Sequence, residues 1–302
     1  MEPQAKTRIP KPDWLKIRPP TTEQYGELRE KISKTGLHTV CEEAHCPNMS
    51  ECWSNGTAAF LILGDVCTRS CGFCATKSAV NGKSVDEKEP EQLAKTIREM
   101  KLDYAVLTSV DRDDLKDDGA NHFAACILET KKQNPKTRIE VLVPDFSGKK
   151  ELISMVVNAG PDVFGHNLET VERLQKKVRD QRANYTQSLL VLKRAKELAK
   201  KKRLELLTKS SLMLGMGETK EEVLEAMDDL RNAKVDIMYL GQYLQPSQKQ
   251  LSVQRFVTPK EFEEFKQAAL EKGFLACQSG PFVRSSYRAA EFFLKNRPES
   301  AL

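Results

Sequence analysis

No stretch of this 302-residue sequence approaches the roughly 18 consecutive apolar residues of a membrane-spanning helix, so no membrane partner is expected. The opening residues, "MEPQAKTRIPKPDW", have no apolar core and are not rich in serine or arginine. They read as neither signal nor transit peptide, and a cytoplasmic chain is expected. Charge of one sign is not in excess: 48 Lys and Arg face 43 Asp and Glu, a net of +5. That balance is too weak to argue for nucleic acid, and it is compatible with an acidic protein partner. Internal repeats and low-complexity segments are absent, which leaves an ordinary globular composition. Histidine is scarce, and His38, His122 and His166 show no ligand spacing.

What the sequence does have is cysteine in an uneven distribution. Six of eight cysteines fall between Cys41 and Cys74 as two triplets, Cys41, Cys46, Cys52 and Cys67, Cys71, Cys74. A reducing cytosol keeps thiols free, so clustered cysteines there point to metal or redox chemistry rather than to disulfides. Disulfide frameworks staple small secreted domains, not chains of this length. A tetrahedral zinc site usually pairs one C-x2-C with a second pair far downstream, and Cys67-x3-Cys71-x2-Cys74 has no such second pair. Four-iron clusters are held by cysteine thiolates, usually four, so three leave one iron open for a substrate or cofactor. The first triplet is looser. By chemistry alone it reads as a second cluster, as a zinc site with His45, or as spare thiols. Cys126 and Cys277 read as small buried hydrophobes.

The rest of the chain alternates. Five prolines by position 20 mark an extended arm, and a short helix is expected at Thr22–Lys34. Then come short apolar runs: Ala58–Gly64, Tyr104–Val110, Arg138–Pro144, Asp162–Leu168, Leu206–Gly215 and Asp236–Leu244. Amphipathic segments such as "PEQLAKTIREM" and "TKEEVLEAMDDLRNAK" lie between them. Buried strands alternating with amphipathic helices predict an α/β fold of parallel βα units. Six such units predict a barrel or part of one, a partial (β/α)6 barrel with extensions at both ends. We divide the chain into 1–56, 57–272 and 273–302. Chemistry in such folds gathers at the carboxyl ends of the strands, where the second triplet, "SVDRDD", "HNLET" and "GMGET" all fall. The basic stretch Lys193–Arg203 reads as a solvated helix face, with a docking patch for an acidic partner as the sharper alternative.

"CTRSCGFC" at the end of the first such strand resembles the signature of radical S-adenosylmethionine enzymes. The two triplets together, "CEEAHCPNMSECW" and "GDVCTRSCGFC", resemble the lipoyl synthase family within that superfamily. Further matches follow in order: "KPDWLK", "TSVDRDDLKDDGA", "VLVPDF", "GPDVFGHNLETV", "MLGMGET", "YLQPS" and "SGPFVRSSYRA". Met216 and Cys277 differ mildly from the family's usual form.

The resemblance implies an enzyme, a radical sulfurtransferase. It inserts two sulfur atoms at C6 and C8 of an octanoyl chain carried on a lysine of a lipoyl carrier domain. The carriers would be E2 subunits of 2-oxoacid dehydrogenases and the H protein of glycine cleavage, with a separate electron donor. Those carbons bear no acidic hydrogen, so no side-chain base can serve and a radical route is required. The implied cofactors are two [4Fe–4S] clusters and two S-adenosylmethionine molecules per product. Cys67, Cys71 and Cys74 would hold the radical-generating cluster. Cys41, Cys46 and Cys52 would hold the sulfur-donating one, with Ser285 of "RSSY" on its fourth iron and Ser286 as the fallback. An oxygen ligand suits iron less well than a thiolate, a physical reason for that corner to let go. Without the resemblance Ser285 reads as a helix cap. Phe73, Asn167, Glu169, Gly215, Gly217 and Glu218 are implied contacts of S-adenosylmethionine. Taken alone, Phe73 reads as core and the glycines as turn residues. Two other functions compete on the residues alone: another radical sulfur-inserting enzyme, and a non-catalytic zinc scaffold that docks partners through the basic helix.

Overall fold

A computed structural model describes residues 9–16, 38–39, 48–54, 57–287 and 289. The helix expected at Thr22–Lys34, together with Cys41 and Cys46, lies outside the described residues.

Seven parallel strands make the main sheet. They are β2 (Thr57–Ile62), β5 (Tyr104–Ser109), β6 (Arg138–Leu142), β7 (Val163–Gly165), β8 (Leu207–Leu214), β9 (Ile237–Gln242) and β10 (Ala276–Gly280), in chain order. A two-residue strand β1 (His38–Thr39) pairs antiparallel on the outer edge of β2. Two more short strands, β3 (Val66–Cys67) and β4 (Lys77–Ser78), pair with each other in parallel and hold the second cysteine triplet between them. Each parallel step needs a crossover, and helices fill most of them. These are α2 (Glu89–Glu99), α3 (Ala120–Gln133), α4 (Lys150–Asn158), a short α5 (Gln175–Val178) with α6 (Tyr185–Lys202), α7 (Lys220–Asn232) and α8 (Pro259–Glu271). A further helix, α1 (Met49–Ser54), leads directly into β2.

The ends of the helices follow from local chemistry. Thr219 and Thr258 each accept a bond from the backbone N–H three residues on, and Glu222 and Glu261 reach back, so α7 and α8 start on reciprocal caps. Asn184 caps α6 through Gln187 N–H. The strands are buried on both faces, as parallel strands covered by helices must be.

The sheet curls. Lys209 of β8 lies 2.7 Å from a Glu140 oxygen of β6, and Tyr104 of β5 donates to the other oxygen at 2.7 Å. The Lys209 ammonium also sits 4.0 Å from the centre of the Tyr239 ring of β9. Side chains from four such strands meet only on a concave face. The strand register then puts Leu61, Thr108, Leu142, Ser211 and Met213 on that same face, toward the carboxyl ends.

Among the described residues the sheet is not closed strand to strand. Residues 281–287 run from β10 back to the other edge. Asn48, just before α1, donates to Phe282 O at 2.6 Å, and the Tyr287 hydroxyl meets Glu51 of α1 at 3.2 Å. On the way they cross Gly241 of β9, where an added Cβ would collide with Val283 O. Glycine at 241 is what allows that close approach.

The α/β expectation is met, and the strands fall on the apolar runs. The sheet gains a seventh parallel strand, β10, within the segment assigned to the C-terminal extension. Its sequence, "ACQSG", is short and partly polar because its outer half is half-exposed, so no apolar run marks it. The run at Asp162–Leu168 yields only three strand residues, because His166 turns its ring inward and Glu169 resumes pairing with Leu212.

Candidate metal centre

Cys67 ends β3, and Cys71 and Cys74 follow in a tight loop whose turn is closed by Cys74 N–H to Cys71 O at 3.1 Å. Each of the three sulfurs receives a backbone N–H. Arg69 N–H reaches Cys67 Sγ at 3.4 Å, Asp180 N–H reaches Cys71 Sγ at 3.3 Å, and Thr76 N–H reaches Cys74 Sγ at 3.5 Å. All three residues are half-buried, and none of these cysteines is in a disulfide. Burial pushes the Cys67 thiol up to about 11 and the Cys71 thiol up to about 12. Without a cation both stay protonated at neutral pH, so a metal that binds them as thiolates must displace protons.

The loop is anchored by a residue that the cysteine spacing does not point to. Arg69 is only 5% exposed. Its guanidinium bonds Asp113 through Nε at 3.0 Å and Nη2 at 2.6 Å. It bonds Asp145 through Nη1 at 2.7 Å and Nη2 at 2.8 Å, and Asp111 lies 3.4 Å away. Two loops at the carboxyl ends of β5 and β6 thus hold the cysteine loop through one forked cation. Thr68 adds bonds to Asp111 O at 3.0 Å and Asp113 at 2.7 Å. Burial would raise the Asp145 carboxyl, but Arg69 overrides it and holds it down at about 2. Burial wins at Asp111, which rises to about 6 although Arg69 opposes it. Arg112 and Asp114 pair with each other at 2.8 Å and order the loop, as their sequence context implies.

Two distant loops close over the cysteines. Gly72 N–H bonds Val178 O at 2.9 Å, and Gly72 O accepts from Leu251 N–H at 2.9 Å. Gln250 donates to Cys74 O at 3.1 Å. The loop after β9 is itself held by Gln242, whose amide donates to Leu214, Tyr243 and Arg255 carbonyls and accepts from Val257 N–H.

The expected cofactor contacts lie at the same end of the sheet. Phe73 is half-buried and packs against the apolar cluster that contains Leu168, Val178 and Leu214. Asn167 donates to Glu169 at 3.1 Å. Glu169 keeps part of its surface open, and burial raises its carboxyl above the usual range. Gly215 has φ 99°, and a Cβ there would strike Gln242 and Arg255, so only glycine fits. Gly217 also has positive φ, at 111°. Glu218 accepts the N–H groups of Gly215 at 2.5 Å and Met216 at 2.9 Å, so its carboxylate is committed to shaping the glycine turn. His166 is a structural residue. Burial lowers it to about 4, so the neutral ring donates from Nδ1 to Val143 O at 2.8 Å, and Nε2 accepts from Ser188 at 2.9 Å.

Of the first triplet, Cys52 is described. It sits on α1 in a small pocket lined also by Asn48, Thr57, Arg284, Ser286 and Tyr287. The "RSSY" turn, far downstream in sequence, therefore shares a pocket with the cysteine, tied by the Asn48 and Tyr287 bonds. Ser286 lines it, and Ser285 is half-buried next to it. Thr57 and Ala59 put this pocket on the concave face.

Among the described residues, no three His, Cys, Asp or Glu side chains converge as ligands to a single ion do. The three sulfurs are spread around a loop, each with its own N–H. Such an arrangement suits a body with several metal atoms, as an iron–sulfur cluster is. The residues that sequence reasoning missed are Arg69, Asp180, Arg182 and Gln250. Arg69 carried a signal in lying between two cysteines; the others carried none.

Comparison with known proteins follows from this geometry. Residues 61–230 match the model of the radical SAM superfamily, and residues 1–46 match the N-terminal domain of lipoyl synthase of that superfamily. The chain is 52% identical over 293 residues to a lipoyl synthase of Legionella pneumophila (strain Paris), covering 97% of this chain and 88% of that one. It is 49% identical over 299 residues to an apicoplast lipoyl synthase of Plasmodium falciparum, covering 98% and 71%. Among solved structures, the FeFe-hydrogenase maturase HydG from Carboxydothermus hydrogenoformans superposes with a TM-score of 0.57 at 14% identity, covering 83% of this chain and 63% of that one. Methylornithine synthase superposes at 0.52 and 13% identity, covering 77% and 67%. At such identities the likeness concerns the fold, the partial barrel of radical SAM enzymes.

Proposed function

The chain belongs to the lipoyl synthase family of radical SAM enzymes, and from that premise we propose that Cys67, Cys71 and Cys74 hold one [4Fe–4S] cluster and that Cys41, Cys46, Cys52 and Ser285 hold a second. The enzyme is a radical sulfurtransferase that acts on a protein-bound octanoyl chain. The observation that carries the first assignment is the set of three backbone N–H groups aimed at three sulfurs on a loop locked by Arg69. The second assignment is supported by the pocket that Cys52 shares with the "RSSY" turn. When bound, the first cluster supplies the single electron that makes S-adenosylmethionine a source of a hydrogen-abstracting radical, and the second supplies sulfur.

The chain's own residues do the rest. Cys67, Cys71 and Cys74 would hold the cluster as thiolates, their protons released to solvent, and three protein ligands would leave one iron free for S-adenosylmethionine. Phe73, Asn167, Glu169 and the turn formed by Gly215, Gly217 and Glu218 form the surface on which that cofactor is held. Two C–S bonds require two hydrogens to be removed, hence two S-adenosylmethionine molecules per product. The concave face between the two cysteine sites is lined by small and apolar side chains. Leu142 and Met213 there are half-buried, so they retain surface for an alkyl chain. The buried Lys209–Glu140 pair fills the concave face toward the amino ends of the strands. Of the segments outside 57–272, the described residues Asn48, Cys52, Arg284, Ser286 and Tyr287 line one pocket with Thr57 and Ala59 of β2.

In this reading the carriers are E2 subunits and the glycine-cleavage H protein, a separate donor supplies electrons, and the compartment is the cytoplasm. The test is anaerobic. The reconstituted chain should carry ~8 irons and ~8 sulfides, from two four-iron clusters. With S-adenosylmethionine, a reductant and an octanoylated carrier it should release 5′-deoxyadenosine and leave sulfur on the carrier. Deoxyadenosine without sulfur in the carrier contradicts the reading.

A further inference from the structure

The loop that follows α5 meets the cysteine loop across 109 residues at Asp180 and Cys71, yet it is bolted to it along its length. Gly72 N–H bonds Val178 O at 2.9 Å, Asp180 N–H bonds Cys71 Sγ at 3.3 Å, and Ser70 N–H bonds the Asp180 carboxylate at 2.9 Å. Arg182 completes the fastening. It donates to Asp180 from Nε at 2.9 Å and from its backbone N–H at 3.0 Å, and to Thr68 O at 2.6 Å. Arg182 also lies 3.3 Å from Asp113, which joins this loop to the Arg69 anchor. Asp180 therefore acts twice on adjacent residues. Its side chain holds Ser70, and its backbone holds the sulfur of Cys71.

We propose that Asp180 is a positioning residue that sets the reduction potential of the cluster on Cys67, Cys71 and Cys74, by keeping its own backbone N–H on the Cys71 sulfur. The proposal rests on the assignment of a four-iron cluster to those cysteines. Hydrogen bonds to the sulfurs are among the determinants of cluster potential. An N–H directed at a thiolate favours the reduced, more negative cluster and so raises the potential. The carboxylate secures that N–H by accepting Ser70 N–H, a charge-assisted bond that resists fraying at this exposed edge. Ser70 lies one residue before Cys71, so freeing it lets the cysteine loop and the Asp180 loop separate. The charge itself acts in the opposite sense. Removing a nearby anion raises the potential, so the direction of the shift separates the N–H effect from a through-space one.

The test uses the full chain with Cys41, Cys46 and Cys52 replaced by alanine, so that one cluster remains. Asp180→Ala and Asp180→Asn are made in that background, reconstituted anaerobically and titrated with a reductant under electron paramagnetic resonance. Both variants should keep ~4 irons per chain. Asp180→Ala should shift the potential to more negative values, whereas Asp180→Asn, which removes the charge but still offers Ser70 an oxygen, should leave it unmoved or raise it. An unchanged or more positive potential in Asp180→Ala overturns the proposal. Should the alanine variant hold no cluster, Asp180→Leu, which also lacks both the oxygen and the charge, decides on the same terms. A background chain that binds no iron at all overturns the cluster assignment itself and the proposal with it, whereas an iron-loaded chain with an unmoved potential overturns only the role of Asp180.

Discussion

Replacing Arg69 with Met strips the guanidinium from between Asp113 and Asp145 while keeping most of the side chain's volume. The three acids it serves are not equally sheltered. The side chains of Asp111 and Asp113 are 25% and 20% exposed and can take up water, whereas that of Asp145 is fully buried. The cost therefore falls mainly on Asp145. Arg69 holds that carboxyl at about 2 against an ordinary 3.8, a favourable contribution of roughly 2–3 kcal/mol at neutral pH. Leaving a buried charge without its partner costs more than the pair contributes, about 3–5 kcal/mol. In a chain of this size that is a fall in Tm of roughly 5–15 °C. The pH dependence has a definite sign. In the native chain Asp145 stabilises the fold above the unfolded pKa, and that contribution is lost as pH falls toward 2. In the variant burial outweighs the remaining Ser147 N–H bond and lifts the folded pKa above 3.8. The ionised carboxylate then destabilises, and acidification through the raised pKa relieves it. Thermal unfolding followed by circular dichroism at pH 7.5 and pH 5.5 should thus show a smaller deficit at the lower pH. Adding Asp145→Asn should recover at least half the loss, since the amide oxygen can still accept Ser147 N–H. A single variant within about 2 °C of the native chain at both pH values would refute the reasoning, because a desolvated, unpartnered carboxylate cannot be that cheap.

Ser285→Ala should lower the iron of the second cluster more than that of the first, read as iron per chain in the presence and absence of Cys67→Ala. Equal loss from both clusters, or a stronger effect of Ser286→Ala, reassigns the ligand. Lys209→Met should destabilise the chain by about 3–5 kcal/mol by leaving Glu140 buried and charged, and the addition of Glu140→Gln should restore most of it in urea unfolding. A single variant as stable as the native chain contradicts the buried pair. Gly215→Ala should weaken S-adenosylmethionine binding about tenfold, about 1.4 kcal/mol by calorimetry, since φ 99° and the clash with Gln242 force the turn to shift. Unaltered affinity removes that turn from the cofactor site.

The parts of the fold that sequence revealed are those made by long apolar runs. Strands β2, β5, β6, β8 and β9 are largely buried, and burial writes itself into the sequence as short stretches rich in apolar residues, broken in β6 and β8 by the paired Glu140 and Lys209. Strand β10 is half-exposed and reads as "ACQSG", so nothing local distinguishes it from a turn. The cysteines of the metal centre were legible because few other uses explain three thiols within eight residues. The parts that hold them were not. Asp180 and Arg182 look like any charged loop until folding brings them across some 110 residues to Cys71 and Thr68. Arg69 looks like a surface cation, and its burial depends on three acids from two other loops. Ser285 was reached only through the resemblance of "RSSY". The nearness of that turn to Cys52 is a long-range consequence of residues 281–287 crossing Gly241 to meet α1.

The central claim is that one chain both generates a radical and donates sulfur. The most direct measurement incubates the anaerobically reconstituted chain with S-adenosylmethionine, a reductant and a single-turnover amount of octanoylated carrier domain, with the second cluster labelled with heavy sulfur. The account predicts a carrier that gains two labelled sulfur atoms with two 5′-deoxyadenosine molecules released per product. Unlabelled sulfur in the carrier, or deoxyadenosine with an unmodified octanoyl chain, would contradict it.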